Sequence, residues 1–158
     1  MIKLGIYDVI NDPLPQIIKI KDIIVNEDDF QYESRMVDIM NEKLYMDKLS
    51  VEHAYAIALT ASLYPRGILQ CNIGDCKGVK IDSRLLGTGL LLLGAERFYL
   101  FHNHPGYSKE ISLEDKKITD RLAELGDLIG IELEEHVMIT KDYWERCSGM
   151  VDEKLPFS

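Results

Sequence analysis

Residues 98–115 read FYLFHNHPGYSKEISLED and lead from a predicted strand, through a turn, into a predicted helix. The short aromatic strand Phe98–Phe101 is followed at once by His102 and His104. Residues two apart on a strand point to the same face, with α-carbons roughly 6.5–7 Å apart. The two imidazoles are therefore expected side by side, close enough to share one small cation.

A third ligand for such a cation is predicted at Asp115, in the first turn of a helix that begins at Ser112. Two histidines and one carboxylate leave the fourth tetrahedral position of a zinc ion open to water, which a catalytic zinc site requires. Ser112 shares a face of the helical turn with Asp115. Its hydroxyl could therefore donate to oxygen charge that develops on a substrate carbonyl.

Each of these residues also has a purely structural interpretation. Ser112 and Asp115 fit a capping box, in which the serine occupies the N-cap and the acid occupies position N3. His102 and His104 fit two loop histidines at the end of a strand, and an isolated His-x-His pair is weak evidence of a metal site. The pattern of residues alone leaves both interpretations open.

Outward from this stretch, strands and helices alternate along the chain, which predicts an α/β sandwich of a mixed β-sheet with flanking helices. Pro13 and Pro15 are expected to interrupt regular structure near the N-terminus. Glycines in the central helix are expected to let that helix pack closely on the sheet. Apolar periodicity and turn residues predict edge-strand material at Ile17–Lys21 and Ile23–Val25, a helix over Phe30–Leu49, strands over Val51–Pro65 and Gly67–Ile73, a turn over Gly74–Gly78, a helix from Asp82 or Ser83 to about Ala95, a strand over Arg97–Phe101, a helix from Ser112 to near Gly130, a strand over Ile131–Ile139, and a short turn and tail.

The combination of motifs resembles a known family. His102-Asn103-His104-Pro105, followed after six residues by Ser112-x-x-Asp115, resembles the JAMM motif of JAB/MPN-type metalloproteases, and the intervening Asn103 resembles the RadC branch. The similarity covers roughly residues 29–150 and includes Thr119, Arg121, Leu122, Gly126–Gly130 and Glu135–Ile139. It implies a JAB/MPN (cytidine-deaminase-like) sandwich over residues 29–158, with residues 1–28 as an N-terminal extension, and a bound Zn²⁺.

The resemblance also supplies a general base. In that family the base is a glutamate on a strand upstream of the histidines, and the matching residue is Glu52, which enters the strand after the first helix. Glu52 would take a proton from the metal-bound water and hand it to the leaving amine. The alternative is an exposed residue at the start of a strand. His53 is expected to face the other way, since neighbours on a strand alternate.

Composition limits the remaining possibilities. The formal net charge of −9 opposes duplex DNA binding, which relies on cationic side chains that neutralise phosphates. No apolar run reaches the roughly 20 residues that a membrane span needs, and no signal peptide is evident, so a cytoplasmic location is expected. Three cysteines, Cys71, Cys76 and Cys147, are expected to be free thiols.

The function favoured by the sequence is zinc-dependent hydrolysis of a peptide or isopeptide bond, with Ser112 steadying the oxyanion. Two other classes stay open. One is a RadC-like protein associated with DNA repair, acting on or near nucleic acid. The other is a non-catalytic binding module that retains the metal for structure.

Overall fold

The computed structural model describes residues 1–73, 80–107 and 110–148, which form a seven-stranded mixed sheet and three α-helices. The strand order is β2-β1-β4-β3-β5-β6-β7. The elements are β1 Ile2–Asn11, β2 Pro15–Val25, a 3-10 helix Glu27–Gln31, α1 Glu33–Leu44, β3 His53–Leu59, β4 Pro65–Ile73, α2 Ser83–Leu92, β5 Arg97–Asn103, α3 Leu113–Ile129, β6 Glu132–Ile139 and β7 Trp144–Arg146. The predicted α/β sandwich is confirmed, while the turn predicted at 74–78 lies outside the described residues.

Strand β3 is the centre of the sheet and separates two apolar cores. Its sequence HAYAIAL alternates alanines with larger side chains. Tyr55, Ile57 and Leu59 pack on the face that α1 covers, whereas Ala56 and Ala58 belong to the core with α2 and α3. Because successive side chains of a strand point to opposite faces, this alternation determines which helix each face receives.

Strand β5 lies between β3 and β6 in the sheet. β5 pairs antiparallel with β3 and parallel with β6, and Ala54 stands opposite His102 in the β3–β5 register. This register places the end of β5 beside the start of β3. The predicted strand Arg97–Phe101 therefore continues through His102 and Asn103, which are paired residues of the sheet rather than loop residues.

The first helix is shorter than the predicted Phe30–Leu49. Its N-cap residue Tyr32 has an extended backbone with φ −129°, which separates the preceding 3-10 turn from α1. The helix ends at Leu44, and its C-cap Tyr45 has a left-handed backbone (φ 58°) and donates its N–H to the Asn41 carbonyl. Met46 is buried beyond this end. Core packing thus continues past the helix in non-helical backbone. This is why the apolar pattern of the sequence extends beyond the end of α1.

Two strands were not predicted. β1 lies inside the sheet, paired antiparallel with β2 and parallel with β4, and β7 pairs with β6 at the far edge. β2 lies at the opposite edge, as predicted.

The domain boundary after residue 28 stays a prediction, and the β1–β2 hairpin on its N-terminal side belongs to the same sheet. Within the described residues, no helix has the length and apolar character needed to cross a membrane.

The predicted role of the α2 glycines is confirmed at Gly89. A Cβ atom there would stand 2.5 Å from Leu69 Cδ2, so α2 lies close to the sheet and a larger residue would require Leu69 to shift. Asp82 caps this helix by accepting from the N–H groups of Arg84 and Leu85. The helix ends at Leu92 rather than Ala95, since Gly94 has a positive φ of 69°.

Two helical glycines should respond oppositely to alanine. A Cβ on Gly126 would stand 2.3 Å from the backbone oxygen of Ile131, whereas one on Gly87 would meet Leu125 at an ordinary 3.7 Å. We expect Gly126→Ala to lower the free energy of unfolding by about 2 kcal/mol, since backbone must move. Gly87→Ala should raise it by about 0.5–1 kcal/mol through helix propensity. Urea unfolding of both variants tests this, and a stable Gly126→Ala would contradict the close approach of α3 to β6.

Candidate metal centre

The predicted site residues lie together where β3 begins and β5 ends. His102 lies on β5 and His104 just after the end of that strand, Asp115 lies in the first turn of α3, and Glu52 immediately precedes β3. His102 Nε2 stands 3.2 Å from Asp115 Oδ1, and His104 Nε2 stands 3.0 Å from Asp115 Oδ2. Glu52 Oε1 lies 3.7 Å from His104 Nε2. The ligand atoms of His102, His104 and Asp115 all fall within 4.8 Å of one another.

His102 Nε2 is a buried polar atom without a hydrogen-bond partner. Asp115 Oδ1 is near it, but the angles do not make a hydrogen bond. Buried polar groups are nearly always satisfied, so an exception calls for an explanation such as an ion. Ligand atoms of a tetrahedral zinc ion stand roughly 3.3–3.5 Å apart. The two His–Asp distances of 3.2 and 3.0 Å are close to this spacing, and the residue types suit a small cation.

The charges of this group favour a cation as well. Burial raises the pKa of Asp115, but the adjacent imidazoles and the Ser112 N–H outweigh burial and hold that pKa well below its usual range. Burial lowers the pKa of His104, but its contact with Asp115 and the charge of Glu52 outweigh burial and raise it. A charged carboxylate thus lies at the centre of the cluster and attracts positive charge.

Ser112 caps α3, as the structural interpretation of the sequence predicted. Its Oγ accepts from the Asp115 N–H at 3.0 Å, and its own N–H donates to Asp115 Oδ2 at 2.9 Å. Both bonds of a capping box are therefore present. The capping hydroxyl acts as an acceptor, so its proton stays available for another oxygen. The cap and the predicted oxyanion role are compatible.

The side chain of Asn103 fixes the backbone on both sides of Glu52. Asn103 is fully buried, its Oδ1 accepts from the His53 N–H at 2.6 Å, and its Nδ2 donates to the Val51 carbonyl at 3.1 Å. His53 itself stacks on Tyr55. The sequence marked Asn103 only through the family resemblance, because an amide that bonds across 50 residues leaves no local pattern.

His136 is a site residue that the sequence reasoning did not assign. It is 1% exposed on β6, with Nε2 2.7 Å from His102 Nδ1 and Nδ1 2.7 Å from Thr119 Oγ1. Burial, and next the neighbouring His102, lowers its pKa well below the usual value. The available signal was the alternation of His136 with Val137 and Ile139, which pack on the α1 face and leave His136 on the face that α3 covers. An irregularity after Leu133 interrupts this alternation earlier in β6.

A second group of possible metal ligands, His102, His136 and Cys147, is less suited to an ion. The two imidazoles already share a 2.7 Å hydrogen bond. Burial raises the pKa of the Cys147 thiol, so the thiolate that binds metals is disfavoured. Cys71 and Cys147 are free, as predicted. Cys76 lies outside the described residues.

Comparison with known proteins finds a matching family and several relatives of this chain. The family described as "RadC-like JAB domain" matches residues 30–152, a range that contains Glu52, His102, His104, Ser112 and Asp115. A "UPF0758 protein" of Desulfitobacterium hafniense is 27% identical over 138 residues, which are 87% of this chain and 55% of the relative. One of Clostridioides difficile is 32% identical over 101 residues, covering 62% and 43%. One of Rubrobacter xylanophilus is 47% identical over 73 residues, covering 46% and 32%. The chain spans about half the length, or less, of these curated relatives.

The capping role of Ser112 can be measured in metal-free protein. Ser112→Ala removes the oxygen that accepts from the Asp115 N–H, so we expect the free energy of unfolding to fall by about 1 kcal/mol. Ser112→Asn keeps a capping oxygen and should stay within about 0.5 kcal/mol of the wild type. Urea denaturation gives both values. Equal losses in the two variants would show that Ser112 stabilises the fold by some other contact.

Proposed function

This chain belongs to the RadC-like JAB domain family, and we propose that it is a zinc-dependent hydrolase of the JAMM type that cleaves a peptide or isopeptide bond. The observation that carries the proposal is the cluster of His102, His104 and Asp115, in which a buried imidazole nitrogen without a partner faces a buried carboxylate. Two imidazoles and one carboxylate are a ligand set of catalytic zinc, with one coordination position left for water. A zinc ion held there would supply Lewis-acid chemistry, activating water and polarising a carbonyl.

The proposed role of Glu52 is to move a proton in this reaction. Its carboxylate contacts the edge of the cluster through His104, whereas Asp115 contacts both imidazoles. Its side chain is 19% exposed, so it can be reached from solvent. Held by the Asn103 contacts on both flanks, Glu52 would take a proton from the attacking water and deliver it to the leaving amine.

Ser112 is proposed to stabilise the oxyanion. Its Oγ accepts from the Asp115 N–H, which anchors the hydroxyl at the N-terminus of α3. The hydroxyl proton can then be donated to a substrate oxygen as negative charge develops on it. The partial positive charge of the helix N-terminus acts in the same direction.

The metal assignment predicts zinc in the purified protein. Protein prepared without added metal should contain about one zinc per chain by elemental analysis, as a three-ligand open site implies. The double variant His102→Ala, His104→Ala should be empty. His53→Ala is the matched control, since His53 lies beside Glu52 but outside the ligand cluster; it should retain its zinc. Equal metal content in wild type and double variant would refute the assignment.

The division of roles between Glu52 and Asp115 predicts two distinct defects. Asp115→Ala should lose zinc, and also the stability that bound metal confers by mass action. Glu52→Gln keeps its shape and should retain zinc, yet any hydrolysis should fall by about 10²–10⁴-fold because the amide cannot accept the proton. Glu132→Gln, exposed at the opposite end of the sheet, is the control and should match the wild type.

A panel of peptide-linked and isopeptide-linked reporters identifies the substrate for this comparison. If Glu52→Gln loses zinc as completely as Asp115→Ala, Glu52 is a ligand and its role as base is wrong. If it keeps both zinc and full activity, the base is another residue.

A further inference from the structure

Three buried hydrogen bonds connect the backbone of α3 to the proposed metal ligand His102. Thr119 Oγ1 lies 2.8 Å from the Asp115 carbonyl oxygen and 2.7 Å from His136 Nδ1. His136 Nε2 lies 2.7 Å from His102 Nδ1. Thr119, His136 and His102 are 7%, 1% and 3% exposed. Water therefore has little access, and the protein groups must satisfy one another.

The direction of this chain follows from its first member. A backbone carbonyl can only accept, so the single hydroxyl proton of Thr119 is donated to the Asp115 carbonyl. Thr119 Oγ1 can then meet the imidazole of His136 only as an acceptor. The proton of His136 is consequently on Nδ1.

The next bond fixes the tautomer of His102. Both ring nitrogens of His136 contact neutral groups, a hydroxyl and an imidazole, and a cation buried without an anion in contact is costly. The neutral ring with its proton on Nδ1 presents Nε2 as an acceptor, so His102 must donate from its own Nδ1. His102 Nε2 is then the ring nitrogen left to face the cation site, where it has no hydrogen-bond partner and lies 3.2 Å from Asp115 Oδ1.

We propose that Thr119 and His136 are positioning residues that hold His102 in the tautomer whose Nε2 lone pair faces the cation site. The inference rests on the proposed metal centre and assigns it a hydrogen-bonded support that neither the motif nor the family match provides. With the opposite polarity, Nε2 would carry a proton and could not ligate an ion. The hydroxyl of Thr119 thus controls the affinity of a site that it does not touch.

Thr119→Val tests this role, because valine keeps the branched shape and removes the hydroxyl. His136 then loses the acceptor that keeps its proton on Nδ1. We expect Zn²⁺ affinity, measured by competition with a chromophoric chelator, to fall about 10–100-fold, as is typical when a partner of a metal-bound histidine is lost. Thr119→Ser, which restores the hydroxyl, should recover most of the affinity.

Thr88→Val is the matched control. Thr88 Oγ1 donates to the Arg84 carbonyl at 2.8 Å, the same bond to the residue four positions earlier that Thr119 makes, but in α2. It should leave Zn²⁺ affinity unchanged. If Thr119→Val binds Zn²⁺ as tightly as Thr88→Val, the positioning role is refuted.

Ring-nitrogen NMR of the metal-free wild type provides a second test that does not depend on a variant folding. Long-range ¹H–¹⁵N spectra at about pH 8, above the ordinary imidazole pKa, should show protonated Nδ1 in both His136 and His102 and unprotonated Nε2 in His136. The reverse pattern in either ring would overturn the inference. Because these spectra need no metal, they separate its failure from that of the proposed function, which wild-type Zn²⁺ binding tests on its own.

Discussion

The carboxylate of Asp115 is shared between the fold and the site, and most of the local structure depends on that sharing. It is 8% exposed, and a buried charge is tolerated only when it is paired and hydrogen-bonded. One oxygen accepts from the Ser112 N–H and faces His104, while the other faces His102. The helix N-terminus and the two imidazoles therefore cannot be positioned independently of each other. Asp115 sets where α3 begins relative to the end of β5.

The sheet supplies the other half of this geometry. The antiparallel register that puts Ala54 opposite His102 brings the start of β3 to the imidazoles. The alternation along β5 gives successive residues different tasks: His102 points toward α3, whereas the amide of Asn103 binds backbone at the start of β3. A carboxylate at position 52 is thereby held next to His104 by two hydrogen bonds that do not involve that carboxylate. Pairing of strands that are far apart in sequence, rather than any local motif, unites the base candidate with the ligand candidates.

How much of the site the sequence predicts depends on how far apart in the chain the interacting residues are. His102, His104 and Asp115 are close in the chain, so strand spacing put the two histidines on one face and Asp115 was the nearest suitable carboxylate, but the family resemblance was needed to favour a metal site. The capping box was readable from Ser112 and Asp115 alone. Glu52 required the family resemblance, because its proximity depends on the β3–β5 register. His136 was missed because it reaches His102 through parallel pairing across 34 residues, and a histidine inside a strand carries no mark of its partner. β1 was missed for a similar reason. Its residues Leu4 and Ile6 pack on the α1 face, but this alternation becomes clear only once β4 is beside it.

The first turns of α3 act on the proposed metal centre in two ways, and both originate at one residue. The Asp115 side chain is itself a candidate ligand, and its backbone carbonyl is the acceptor from which the hydrogen bonds through Thr119 and His136 run to His102. Thr119 stands four residues after Asp115, the spacing at which a threonine hydroxyl reaches a helical carbonyl. The carbonyl therefore belongs to the regular helix and cannot turn away without breaking it. The rigid backbone carbonyl of Asp115 thus sets the direction of the hydrogen bonds that run through Thr119 and His136 to His102 Nδ1. This arrangement pre-organises His102 Nε2 and a carboxylate oxygen of Asp115 to face the same cation site.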